Sequence, residues 1–206
     1  MFSYLIQGIA YGFAAAVTPG PLSMYLISQT LRHGWRRALP VAFAPIVSDG
    51  PIAILIVTLL SRVPAEMVLY LRIAGGVFIL YLALGTWRAY RSFHAETPIG
   101  AGSRSIPLFK AAMINWLNPN PYIGWSLILG PILLSGWRDS PSCGIAYLAG
   151  FYTIMIVTMI GMIALFAAAG TIGFRMRKSL IGLSSIALAF FGAYQLWMGG
   201  SMLLAQ

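Results

Sequence analysis

Apolar residues run almost unbroken along this chain, and charged residues collect in short clusters between the runs. Six runs reach the roughly 20 helical residues needed to span about 30 Å of hydrocarbon. They are Phe2 to Leu31, Pro40 to Ser61, Met67 to Trp87, Ile106 to Ser135, Gly144 to Ala169 and Leu180 to Leu204. The runs are continuously apolar rather than alternating in ten-residue segments, which argues for helices and against a β-barrel. The pattern predicts an all-α membrane protein, a single transmembrane domain over 1–206 with six transmembrane helices.

Composition excludes the other classes. Hydrophobic residues make up 59% of the chain and charged ones 8%, against about 25% charged in soluble domains. Thirteen basic and four acidic side chains cannot cover a water-soluble surface. Cys143 is the single cysteine, so no internal disulfide can form. A net charge of +9 would suggest nucleic acid in a soluble chain; here the position of each charge relative to the spans matters instead, and no nucleic-acid partner is expected. Arg32, Arg36, Arg37, Arg88, Arg91, Arg104, Lys110, Arg175, Arg177 and Lys178 fall on one side of the six-span topology, and Arg62, Arg72 and Arg138 on the other. Because short cytoplasmic loops retain Lys and Arg, both termini are expected outside the cytoplasm. Ala14 to Ala16 resemble a signal-peptide cleavage site, but the basic leader is missing, so the first run is read as a retained span.

The segment 92–105 reads as a linker, dividing the chain into repeats over 1–91 and 106–206. Thr18-Pro19-Gly20-Pro21 in the first run stands opposite Asn118-Pro119-Asn120-Pro121 in the fourth. Each precedes a Gly-Trp-Arg, at Gly34 and at Gly136. Three spans per half require the second repeat to be inverted, an internal symmetry common in transporters.

The first and fourth runs are long, and their paired prolines remove amide donors within the expected bilayer. Each is therefore expected to be two half-helices. Thr18 and Asn118 are expected as N-caps with Pro19 and Pro119 in the first helical position. The carbonyls of Ala15, Val17, Asn115 and Leu117 would be freed. The new helix starts would favour an anionic group and the freed carbonyls a cation. Kinks re-satisfied by neighbouring helices are the plainer alternative.

Asp49 is the one carboxylate deep in a predicted span. At a cost of about 2.5–3.5 kcal/mol on insertion scales, such a group is functional by default, either holding a substrate ammonium or coupling transport to protons. A protonated Asp bonded between helices is the structural alternative. Gly50 and Pro51 just beyond it would let the span bend. Substrate-binding candidates are Thr18, Pro19, Gly20, Pro21, Asn115, Asn118, Pro119, Asn120, Pro121 and Tyr122, with Gln195 and Trp125 as lesser ones. His33 and His94 are read as plain loop residues, and the pairs Gly75-Gly76 and Gly199-Gly200 as close helix contacts. No cofactor or metal site is expected, since no cluster of His, Cys or carboxylates exists. An enzyme is not expected either, because no His lies within a span to serve a nucleophile.

The run Ala16-Val17-Thr18-Pro19-Gly20-Pro21, the turn from Leu31 to Gly34, Ser48-Asp49 and Asn118-Pro119 together resemble the lysine exporter family of translocators (LysE/RhtB type), over essentially the whole chain. The resemblance implies a bacterial inner-membrane exporter of amino acids or related metabolites, driven by protons. Many members carry a polar residue after Thr-Pro-Gly-Pro and a basic one after Asn-Pro; here Leu22 and Asn120 stand there, which points to a divergent subgroup. An ion channel on the same broken helices, or a non-transporting adaptor, are the alternative functions. Whether copies associate into a homo-oligomer is left open.

Overall fold

The computed structural model describes residues 1–59, 65–92, 107–171 and 173–204. The linker 92–105, apart from Ser92, lies outside the described residues, and with it His94, Glu96 and Arg104; so does Arg62. Among the described residues the chain is helical with no strand. The elements are α1 (Phe2–Val17), α2 (Pro21–His33), α3 (Trp35–Ala38), a 3₁₀ turn (Leu39–Phe43), α4 (Ala44–Leu59), α5 (Ala65–Arg91), α6 (Pro107–Trp116) and α7 (Pro119–Gly124). A π turn (Trp125–Leu129), α8 (Gly130–Asp139), α9 (Pro141–Thr171) and α10 (Phe174–Leu204) complete the chain. Four stretches among the described residues are long and apolar enough to cross a membrane: Trp35–Leu55, Leu69–Arg91, Pro141–Ala169 and Phe174–Leu203. The first and fourth apolar runs are interrupted, at 18–20 between α1 and α2 and at 117–118 between α6 and α7.

Large apolar side chains point outward from many of the helices, Ile54, Leu127, Leu165, Phe190 and Trp197 among them. That is the surface hydrocarbon solvates and water does not. Inside, Trp125 packs edge-on against Phe151 with ring centroids 5.8 Å apart.

Glycine sets the closest helix contacts. On α1, Gly8 and Gly12 lie against the backbone of α9, and a Cβ on either would run into the carbonyl of Tyr147 or Phe151. With Ala16 they form a small-residue stripe at four-residue spacing, buried throughout, which lets two backbones approach. On α5, Gly76 meets Leu196 and Gly192 of α10, and Gly199 of α10 meets Ile73. Gly75 instead receives the carbonyl of Leu117, the residue at the break before α7. The expectation for Gly200 is corrected: a Cβ there would meet only open space.

The two ends of the body differ in charge. At one end the Tyr4 hydroxyl donates to Asp139 at 2.7 Å. At the other, Arg32, Arg88 and Lys110 line one cavity and the Lys178 ammonium sits 5.5 Å from the Tyr90 ring centroid. Basic residues from the α2, α5, α6 and α10 termini thus gather at a single end. Between the ends, α4 continues through Pro51 as one helix.

Candidate functional site

Both chain breaks line one cavity of about 300 Å³. Thr18, Pro19, Gly20 and Pro21 come to it from the first break and Asn118, Asn120 and Pro121 from the second; Asp49, Asn115 and Gln195 reach it from α4, α6 and α10. Asp49, Asn115, Asn118 and Gln195 are buried, while Thr18, Pro19 and Asn120 are exposed. Among the described residues Asp49 is the one charged side chain in the lining. The apolar wall is Phe151, Met155 and Met159 of α9, with Trp125 and Phe191.

The carboxylate is held by an amide. Asn115 Nδ2 donates to Asp49 Oδ1 and to Ser48 Oγ at 2.7 Å, and the Ser48 hydroxyl donates to the Ala44 carbonyl at 2.9 Å. The Trp116 indole N–H donates to the Ser48 carbonyl at 3.1 Å. Three donors from two adjacent residues of α6 thereby tie α4 to the break in the fourth run.

The two breaks are built differently. Asn118 caps α7 as expected: its side-chain oxygen accepts the Asn120 N–H at 3.1 Å, and Pro119 follows in the first helical position. Pro119 and Pro121 have no N–H and that of Asn120 is taken by the cap, so this helix start offers no free amide in its first three positions. The expectation of a second anion-binding helix start is corrected on that ground. The Asn115 carbonyl is not freed either, since it accepts the Asn118 N–H at 3.2 Å.

At the first break Thr18 is the C-cap of α1 rather than the N-cap of α2. Its hydroxyl and its N–H both donate to the Ala14 carbonyl, at 2.6 and 3.1 Å. Gly20 caps α2 in extended conformation, with Pro21 in the first helical position. Gly20 has no side-chain oxygen to offer, so the N–H groups of Leu22 and Ser23, which line the cavity, meet no acceptor among the described residues. Met24 N–H is the first amide of α2 bonded back, to the Gly20 carbonyl at 3.0 Å.

Pro119 and Tyr122 do not line the cavity. Tyr122 is buried and its hydroxyl donates to the Trp116 carbonyl at 2.9 Å, bracing the break from behind. Gln195 matters more than its sequence suggested. Its Nε2 donates to Asn118 Oδ1 at 3.4 Å, and its Oε1 accepts from Arg72 Nη1 at 3.0 Å. Arg72, counted in the sequence only as a basic charge on the outer side of the topology, is half-buried on α5 and supplies a cation one residue removed from the site. Its position inside the apolar run Met67 to Trp87 was the available signal. His33, read as a loop residue, closes α2 and lines the basic cavity. Among the described residues no three His, Cys, Asp or Glu side chains converge as metal ligands.

Long apolar helices around a cavity that carries buried polar side chains, with two of the apolar runs broken beside a buried carboxylate, mark a multi-pass membrane protein. The chain matches the LysE type translocator family over residues 13–203 and belongs to that family. Its members are translocators and not enzymes. Comparison with curated proteins and with solved structures yields no match.

Proposed function

We propose that the protein is a secondary transporter that exports amino acids or related small metabolites across the bacterial inner membrane by proton antiport. In this reading the chain crosses the membrane six times as two inverted repeats, 1–91 and 106–206, with both termini outside the cytoplasm. The observation that carries it is the pairing of opposite chemistries in one cavity. The carboxylate of Asp49 suits an ammonium or a proton, and the open amides of Leu22 and Ser23 at the start of α2 suit a carboxylate. A zwitterion would place its carboxylate at the α2 start beside Thr18, Pro19, Gly20 and Pro21. Its ammonium would meet Asp49, with Asn115, Asn118 and Asn120 fixing its orientation.

The test is proton-gradient-driven uptake of a labelled amino-acid panel into proteoliposomes, with wild type beside Asp49→Asn. Saturable uptake by the wild type that disappears in a folded variant supports the reading. Full uptake in Asp49→Asn removes Asp49 from the mechanism. Uptake without counterflow of labelled against unlabelled substrate identifies a channel instead.

A further inference from the structure

A second cavity, of about 320 Å³, lies at the basic end and shares no lining residue with the cavity around Asp49. Arg32 from α2, Arg88 from α5 and Lys110 from α6 all line it, and among the described residues no Asp or Glu does. Bringing three cations from three helices into one concavity costs free energy through their mutual repulsion. Here no carboxylate among the described residues offsets it. Gln29 and Tyr25 are buried on the same wall, and neither side chain makes a hydrogen bond to another described residue, so both present polar atoms to the cavity. On α5 the rim carries Tyr81 and Leu84, both exposed apolar side chains on the outer face of the bundle.

Each element of this arrangement is one half of a known recognition chemistry. Guanidinium forks pair with phosphate oxygens in two-point geometry, and an ammonium adds a point charge. Basic pockets between membrane helices hold anionic headgroups. An ammonium-bearing ligand that Asp49 would welcome is repelled here, so the two cavities select opposite charges. We propose that the cavity lined by Arg32, Arg88 and Lys110 binds a phosphate ester, the headgroup of an anionic phospholipid whose acyl chains leave past Tyr81 and Leu84. The phosphate takes the three cations, and Gln29 and Tyr25 donate to the glycerol and ester oxygens. This site stands apart from the transport reading and does not depend on it.

Native mass spectrometry of the purified protein with phosphatidylglycerol against phosphatidylcholine tests the lipid, and a melting titration with inorganic phosphate tests the soluble anion. The expected result is retention of phosphatidylglycerol over phosphatidylcholine. Affinity should fall about fivefold for each cation removed, and so about 25-fold in R32Q/K110Q. The variant R36Q/R91Q loses the same charge from exposed positions outside the cavity and should bind as the wild type does. If R32Q/K110Q fails to fold, Lys110→Gln alone is read in the same way, at about fivefold. A melting rise with inorganic phosphate that is lost in R32Q/K110Q, without preference for phosphatidylglycerol, assigns the site to a soluble phosphate and overturns the lipid. Equal retention of the two lipids with no phosphate response, or an equal loss in R36Q/R91Q, overturns the site altogether.

Discussion

Asn115 and Asp49, 66 residues apart in sequence, meet in a buried hydrogen bond that joins the second apolar run to the break in the fourth. Asn115 also holds Ser48, so one amide fixes both the backbone neighbour and the carboxylate itself. A hydrogen bond to a charged group contributes about 1.5–3 kcal/mol. Asn115→Ala should therefore lower the initial rate of transport by roughly ten- to a hundredfold, with the protein still eluting as a folded species. A wild-type rate in Asn115→Ala would show that the bond does not position the carboxylate for transport.

Gly20 yields a prediction with opposite signs. A side chain there meets nothing closer than the Thr18 carbonyl at 3.9 Å, and the extended backbone accepts any residue. Gly20→Ser adds the missing cap oxygen, which would accept the Ser23 N–H. Stability should rise by a few tenths of a kcal/mol, while KM for a carboxylate-bearing substrate rises because the amide is occupied. Melting temperature and KM measured on the same preparation check both signs; a lowered or unchanged KM would remove the α2 start from the binding site.

The glycine seam between α1 and α9 predicts where added methyl groups are tolerated. Gly8→Ala and Gly12→Ala drive a Cβ into a carbonyl of α9 and should each cost about 1–3 kcal/mol. Gly161→Ala and Gly85→Ala project into open space and should leave the melting temperature in detergent within experimental scatter. Gly34 is a separate case. Its φ of 82° and ψ of 163° belong to a region open almost only to glycine, so Gly34→Ala should cost about 1–3 kcal/mol through backbone strain.

Arg72 reaches the cavity only through Gln195, which makes the pair separable. Gln195→Leu deprives Asn118 of a donor and Arg72 of its acceptor, whereas Arg72→Gln leaves Gln195 able to bond Asn118. Transport should fall more in Gln195→Leu than in Arg72→Gln, and the double variant should resemble Gln195→Leu. Additive losses in this double-mutant cycle would mean that the two residues act independently.

Much of this site is legible in the sequence. The cost of a carboxylate in hydrocarbon singles out Asp49, and asparagine followed by proline marks the start of α7. The first break was misplaced by two residues because two caps competed there. Thr18 gives its hydroxyl to the preceding turn, and glycine, weaker as a cap, takes the role because Pro21 fits the position after it. The amides of α7 were miscounted for a related reason: the cap that starts the helix also consumes its one available donor. The role of Arg72 stayed hidden because a charge near the end of a span reads as an orientation signal until the partner helix is known. The stripe of Gly8, Gly12 and Ala16 is plain in sequence, but its partner on α9 lies more than 130 positions away, and no local pattern names it. Tyr122 follows the motif closely enough to suggest contact with a ligand, yet helix rotation turns its hydroxyl back to Trp116.

With Asp49 the sole charge that the described residues bring to its lining, the cavity also has simple electrical consequences under the transport reading. Protonated, or holding a bare cation, the site is neutral; holding a zwitterion with the carboxylate ionised, it carries one negative charge. A membrane potential acts on such a charge with about 2.3 kcal/mol for each ~100 mV. The occupant of one carboxylate thus decides which half of the cycle the voltage drives and which half it leaves untouched.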